Sequence, residues 1–128
     1  MEENIIWLSP MSKEGTATLS NKGILLNTVA ATNFQSAYRA KVGVNQSTRQ
    51  LIIIPLTRDQ IEKGIYDEGS LLKIQIEKSF TKISSVELMR NIASLLNLEL
   101  EKTGTKYPAR WNEDTSSLYI EIGKENKD

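Results

Sequence analysis

Two stretches of this sequence alternate apolar and polar residues, turn, and return as a second apolar run, the second stretch lying 67 residues after the first. In the first, Tyr38, Ala40, Val42 and Val44 fall on one face and Arg39, Lys41 and Gly43 on the other. Residues 45–49 are polar, and the β-branched run at 51–54 ends at Pro55. A period of two sends successive side chains to opposite sides of a strand, so each stretch predicts a half-buried β-hairpin. At this offset Asn45, Thr48, Leu51 and Ile53 meet Asn112, Thr115, Leu118 and Ile120 as identities, while Val42 and Val44 meet Ala109 and Trp111. The pattern is a strong constraint, because a slip of one residue would turn every apolar side chain to solvent.

Each hairpin is preceded by elements in the same order. Residues 16–20 and 24–26 read as strands around an Asn21-Lys22-Gly23 turn, and Asn27 reads as the N-cap of a short helix at about 28–35. In the second half, Leu71, Leu72, Ile74 and Ile76, then Phe80 and Ile83, read as strands flanking a turn near Lys78 and Ser79. Ser84 or Ser85 then caps the clearest helix, with the apolar stripe Val86, Leu88, Met89, Ile92, Ala93, Leu95 and Leu96. Between the halves Thr57 caps a single helical turn that Gly64 stops, and residues 4–8 read as a short apolar strand before Ser9-Pro10. The expected fold class is α+β: one domain over residues 1–128, with a frayed tail at 123–128. Two βαββ-like halves, about 16–55 and 71–122, are expected to form a compact, mostly antiparallel sheet or barrel with two main helices. A βαββ unit cannot bury its sheet face alone, which gives duplication or dimerisation a physical motive.

Composition narrows the chemistry. The chain has no His and no Cys, which removes zinc sites, Ser-His-Asp triads, thiol nucleophiles and imidazole catalysis. No catalytic residue, metal ligand or cofactor is therefore expected, and no small-molecule substrate is evident. The acidic set Asp59, Glu62, Asp67 and Glu68 lacks the ligand spacing of a calcium loop, and Gly64 and Gly69 are not followed by the Lys-Ser or Lys-Thr of a phosphate loop. The longest apolar runs, 23–26 and 51–55, fall far short of the roughly 20 residues that cross a bilayer, so no membrane partner is expected. Glu2 and Glu3 stand where a secretory signal would carry basic residues, and a chain without Cys has no disulfide, so a cytoplasmic location is expected.

Charge is uneven along the chain although it sums to zero. Between Glu14 and Asp59 there is no acidic residue, and Lys22, Arg39, Lys41, Arg49 and Arg58 all fall inside that gap. A basic surface for an anionic partner would account for the asymmetry, and so would an ordinary solvated sheet face.

The segment Leu19-Ser20-Asn21-Lys22-Gly23-Ile24-Leu25-Leu26-Asn27, followed by a short helix and a hairpin, resembles the AbrB/MazE/SpoVT-like family of swapped-hairpin DNA-binding proteins over about residues 16–55. The family's Pro at the helix start is Asn27 here, and Ile24 follows Gly23 without the family's intervening Arg. The whole pattern, ending in Tyr107-Pro108-Ala109-Arg110-Trp111-Asn112-Glu113, is also similar to a group of uncharacterised bacterial and phage proteins with the same two-part layout. The family resemblance implies contact with duplex DNA through Lys22, Arg39 and Lys41, and Arg49 and Arg58 extend the same basic set. The rival expectation is a protein-interaction or assembly module without catalysis. In that reading an edge strand at Ile5, Ile6, Trp7 and Leu8 recruits a partner, most simply a second copy in a homodimer. Tyr107 and Trp111 read as core.

Overall fold

The alternation is realised as strands that all pair antiparallel. The computed structural model describes residues 14–123. Within them the chain runs β1 (Thr16–Leu19), β2 (Gly23–Asn27), a 3-10 turn (Thr32–Phe34), β3 (Arg39–Asn45), β4 (Gln50–Leu56) and α1 (Arg58–Glu62). A second 3-10 turn (Glu68–Ser70) leads to β5 (Leu72–Lys73), β6 (Gln75–Ile76), β7 (Phe80–Ser84), α2 (Val86–Leu96), β8 (Thr105–Asn112) and β9 (Ser117–Glu121). The strands form one nine-stranded sheet in the order β5-β3-β4-β9-β8-β1-β2-β7-β6. Its two edges, β5 and β6, are separated only by Ile74, so a single stretch of chain pairs with β3 through one end and with β7 through the other. That bend brings the sheet round into a nearly closed barrel with little exposed edge.

This architecture corrects the expected α+β class: the protein is β-rich, and α2 is its one substantial helix among the described residues. The helix expected at 28–35 is instead a turn followed by the three-residue 3-10 segment. Asn27 does cap this stretch, and the Ala31 N–H donates to its carbonyl at 2.9 Å, but the next donors revert to the tighter spacing, Thr32 N–H to the Val29 carbonyl and Phe34 N–H to the Ala31 carbonyl. Asn27 Oδ1 accepts from the Ala30 and Thr16 N–H groups at 2.9 and 3.1 Å, and the Thr32 hydroxyl donates to the Val29 carbonyl at 2.8 Å. A helix of two turns has little stability of its own, so a short stretch of this kind settles as a single turn and a 3-10 segment. Between β4 and β5, α1 is a single turn, closed at its start by a reciprocal Thr57–Gln60 capping box and followed by Gly64 at φ +79°. Pro55 does not end β4, which continues to Leu56. Pro55 lies past Ile53, the last residue of β4 paired with β9, where a strand tolerates a missing N–H.

The two hairpins share one register. Asn45 faces Gln50 and Val42 faces Ile53 in the first; Asn112 faces Ser117 and Ala109 faces Ile120 in the second. Both turns use the same device. Asn45 and Asn112 Oδ1 accept from the Thr48 and Thr115 N–H groups, and Arg49 and Ser116 take positive φ at 54° and 50°. The hairpins join through β4 and β9, with Ile52 opposite Tyr119, and β2 and β7 meet on the far side of the strand order, with Leu25 opposite Lys82.

Alternate residues fill the interior: Leu19, Ile24, Leu26, Leu51, Ile53, Ile83, Leu118 and Ile120 are all buried. Phe34, from the first half's 3-10 turn, packs into this core and meets Trp111 edge-on at 6.4 Å between centroids. In the second half α2 contributes Met89, Ile92 and Leu96, while Val86 and Leu95 of the expected stripe are 49% and 47% exposed. Ser85 caps α2 by accepting from the Leu88 N–H, and Asn97 ends it in the left-handed conformation. Gly23 permits β2 to approach β7, since a Cβ there would lie 2.2 Å from the Ile83 carbonyl oxygen.

No helix among the described residues is long and apolar enough to cross a membrane. The strand expected at residues 4–8, with Ile5, Ile6, Trp7 and Leu8, lies outside the described residues, as does most of the expected tail.

Candidate functional site

The register of β3 determines where charge collects. Arg39 lies opposite Leu56 of β4 on one side and Lys73 of β5 on the other. Directly opposed residues project to the same face, and so does the residue two positions on, so Arg39, Lys73 and Lys41 point the same way. Pairing at this end of the hairpin also sets Tyr38, which donates its N–H to the Leu56 carbonyl at 2.7 Å, beside the chain leaving β4. The Thr57 cap turns that chain into α1, whose first residue is Arg58.

These placements converge on one aromatic ring. The Arg39 and Arg58 guanidinium carbons each lie 4.1 Å from the centroid of Tyr38. A guanidinium over a tyrosine ring is attracted by the ring's negative face, and here one ring holds two of them. Arg39 is further fixed by donating to the Tyr38 carbonyl at 2.9 Å. Lys41 lies 6.0 Å from the centroid of Tyr66, in the loop after α1. Beside the Tyr38 cluster is a cleft of about 330 Å³ lined by Arg39, Arg58 and Lys73, with Ile61 and Leu71 as its apolar part and Glu62 and Glu68 as its carboxylates. The other terminal nitrogen of Arg39 faces the Tyr38 hydroxyl at 3.5 Å, so both ends of its fork are held by Tyr38. The cleft thus gathers the cations Arg39, Arg58 and Lys73 beside two carboxylates, and a charge-assisted bond from its cations to an anion is the chemistry it can offer.

The five basic residues singled out in the sequence thus separate into three places. Arg39, Lys41 and Arg58 come together around the two tyrosines. Arg49, at the opposite end of the β3–β4 hairpin, donates through Nε to the Gly123 carbonyl and through a terminal nitrogen to the Leu96 carbonyl at 2.7 Å. Its guanidinium ties the end of α2 to the residues just past β9. Lys22 sits in the β1–β2 turn and lines a different groove, with Arg90. Sequence reasoning missed Tyr38, Tyr66 and Lys73. Alternation groups Tyr38 with Ala40, Val42 and Val44 on one face of a half-buried strand, yet it precedes β3 and is 36% exposed. Lys73 joins the site only through the β3–β5 pairing, for which the sequence carries no local signal.

The acidic residues have local structural roles. Asp67 caps the second 3-10 turn by accepting from the Gly69 N–H, and Asp59 lies in the first turn of α1. No group of three or more His, Cys, Asp or Glu side chains able to hold a metal ion occurs among the described residues. Comparison with protein-family models, curated proteins and solved structures finds no match to the chain.

Proposed function

We propose that this protein is a non-catalytic DNA-binding protein of regulatory character, acting in the cytoplasm. It would contact the phosphate backbone of a duplex through Arg39, Lys41, Arg58 and Lys73. The observation that carries the reading is the stacking of Arg39 and Arg58 on the single ring of Tyr38, with Lys73 across the strand and Lys41 two residues on. Stacking restricts the long side chains before binding, so less freedom is lost when they meet phosphate, and a planar guanidinium suits bidentate contact with phosphate oxygens. The resemblance of residues 16–55 to the AbrB-like family supports the same partner. A homodimer would double the basic surface and match the two-fold symmetry of a duplex site.

A second reading, a protein-interaction module, draws on Glu62 and Glu68, which line the same cleft as Arg39 and Arg58. Mixed charge of this kind suits a protein surface as well as a polyanion. A mobility-shift series with duplex DNA at low ionic strength separates the two. DNA binding predicts a retarded complex that the Arg39→Glu, Lys41→Glu double variant loses. Absence of a complex at low salt, or one indifferent to the double variant, would favour the interaction module.

A further inference from the structure

A second groove, of about 440 Å³, runs beside α2 and shares no residue with the cleft around Tyr38. One wall is a face of the helix, where Val86, Met89, Arg90 and Ala93 recur at the spacing that stacks side chains along one side. The other walls are Leu100, in the segment that returns from α2, and the β1–β2 turn with Asn21 and Lys22. Backbone hydrogen bonds tie the walls together. The Ser85 N–H donates to the Lys22 carbonyl at 3.1 Å, the Asn21 N–H to the Glu101 carbonyl at 3.0 Å, and the Leu98 N–H to the Ala93 carbonyl at 2.9 Å. The groove is therefore formed before any ligand arrives, and its size falls within the roughly 300–1,000 Å³ of small-molecule sites.

Its lining is divided by chemistry. Val86, Ala93 and Leu100 supply the accessible apolar surface over the buried Met89, and Val86 leaves nearly half of its own surface exposed. Among the described residues, the only charged ones that line it are Lys22 and Arg90, both cations. We infer that this groove binds a small amphiphilic anion, an aliphatic carboxylate whose chain lies on Val86, Ala93 and Leu100 and whose head group meets Lys22 and Arg90. A polyanion would leave the apolar part uncovered, and an apolar ligand would leave the two cations without a partner. The inference does not depend on the DNA-binding reading, because the two sites have no residue in common. It also gives the unequal halves a purpose. The link from β7 to β8 carries α2 and the return past Leu100, where the link from β2 to β3 carries only a 3-10 turn.

The test is a titration of the full-length protein, followed by amide chemical shifts and by calorimetry, with octanoate, octanol and octylammonium. Octanoate should bind saturably below its micellar range, with the largest shifts at Lys22, Met89, Arg90 and Leu100. The other two probes should bind at least about tenfold more weakly, since charge-assisted bonds to the head group are lost. The Lys22→Ala, Arg90→Ala double variant, at two exposed positions, should weaken octanoate by about tenfold or more, whereas Arg39→Ala should leave it unchanged. No saturable octanoate binding, equal affinity for the three probes, or an affinity indifferent to the double variant would each overturn the inference.

Discussion

Thr81 lies wholly inside the barrel, and its hydroxyl Oγ1 has no hydrogen-bond partner among the described residues. It faces Leu26 of β2 and Ile76 of β6 across the sheet, among apolar neighbours. A buried hydroxyl with no partner costs about 1–3 kcal/mol relative to its hydrated state. Thr81→Val replaces the hydroxyl with a methyl group of similar size and keeps the β-branched shape that suits a strand. The variant should therefore be more stable than the parent by about 1–2 kcal/mol. For a chain of this length, with m of about 2 kcal/mol per M urea, the midpoint should rise by about 0.5–1 M with m unchanged. The melting temperature should rise by roughly 3–6 °C. Thr81→Ser provides the control, since it retains the unpaired hydroxyl and removes a buried methyl, and it should lower stability by about 1 kcal/mol. A midpoint for Thr81→Val equal to or below that of the parent would show that the hydroxyl is paired, and the reasoning would fail.

Two further outcomes follow from side chains that hold elements together. Arg49→Ala removes the donors to the Leu96 and Gly123 carbonyls and should lower unfolding free energy by about 1–3 kcal/mol while leaving DNA affinity unchanged, as urea unfolding and a mobility shift on the same sample would show. Asn27→Ala leaves the Thr16 and Ala30 N–H groups without their acceptor and should cost about 1–3 kcal/mol by urea unfolding; Asn27→Asp keeps that acceptor, loses only the donation to the Glu14 carbonyl, and should cost less.

The strands were largely legible in the sequence because burial of one face leaves a period of two. The turn at 45–49 and its counterpart 67 residues on could be read from Asn and Thr, which bond to their own backbone. Where every residue of a run is apolar, the period vanishes. Residues 51–54 do not reveal that Leu51 and Ile53 face inward and Ile52 and Ile54 outward; the pairing with Leu118 and Ile120 decides it. The β7 strand misled in the opposite sense, since polar Thr81 points in with Ile83 while Phe80 lies on the other face. Residues 28–35 carry helix-compatible spacing and a working cap at Asn27, but a stretch this short has too little helix stability of its own, and its donors settle into 3-10 spacing. Of the basic set, Arg39, Lys41 and Arg58 are gathered by the hairpin's two ends meeting. Arg49 was indistinguishable from them in sequence, because its partners, the carbonyls of Leu96 and Gly123, lie 47 and 74 residues away.

The central claim, that the Tyr38 cluster meets a phosphate backbone, is tested most directly by the salt dependence of duplex binding, followed by fluorescence anisotropy of a labelled duplex. Four phosphate contacts predict that the logarithm of the association constant falls against the logarithm of salt with a slope of about −3.6. Arg58→Ala removes one of the two guanidinium groups on Tyr38 and should bring the slope to about −2.7. A slope near zero, or one that Arg58→Ala leaves unchanged, would contradict the account.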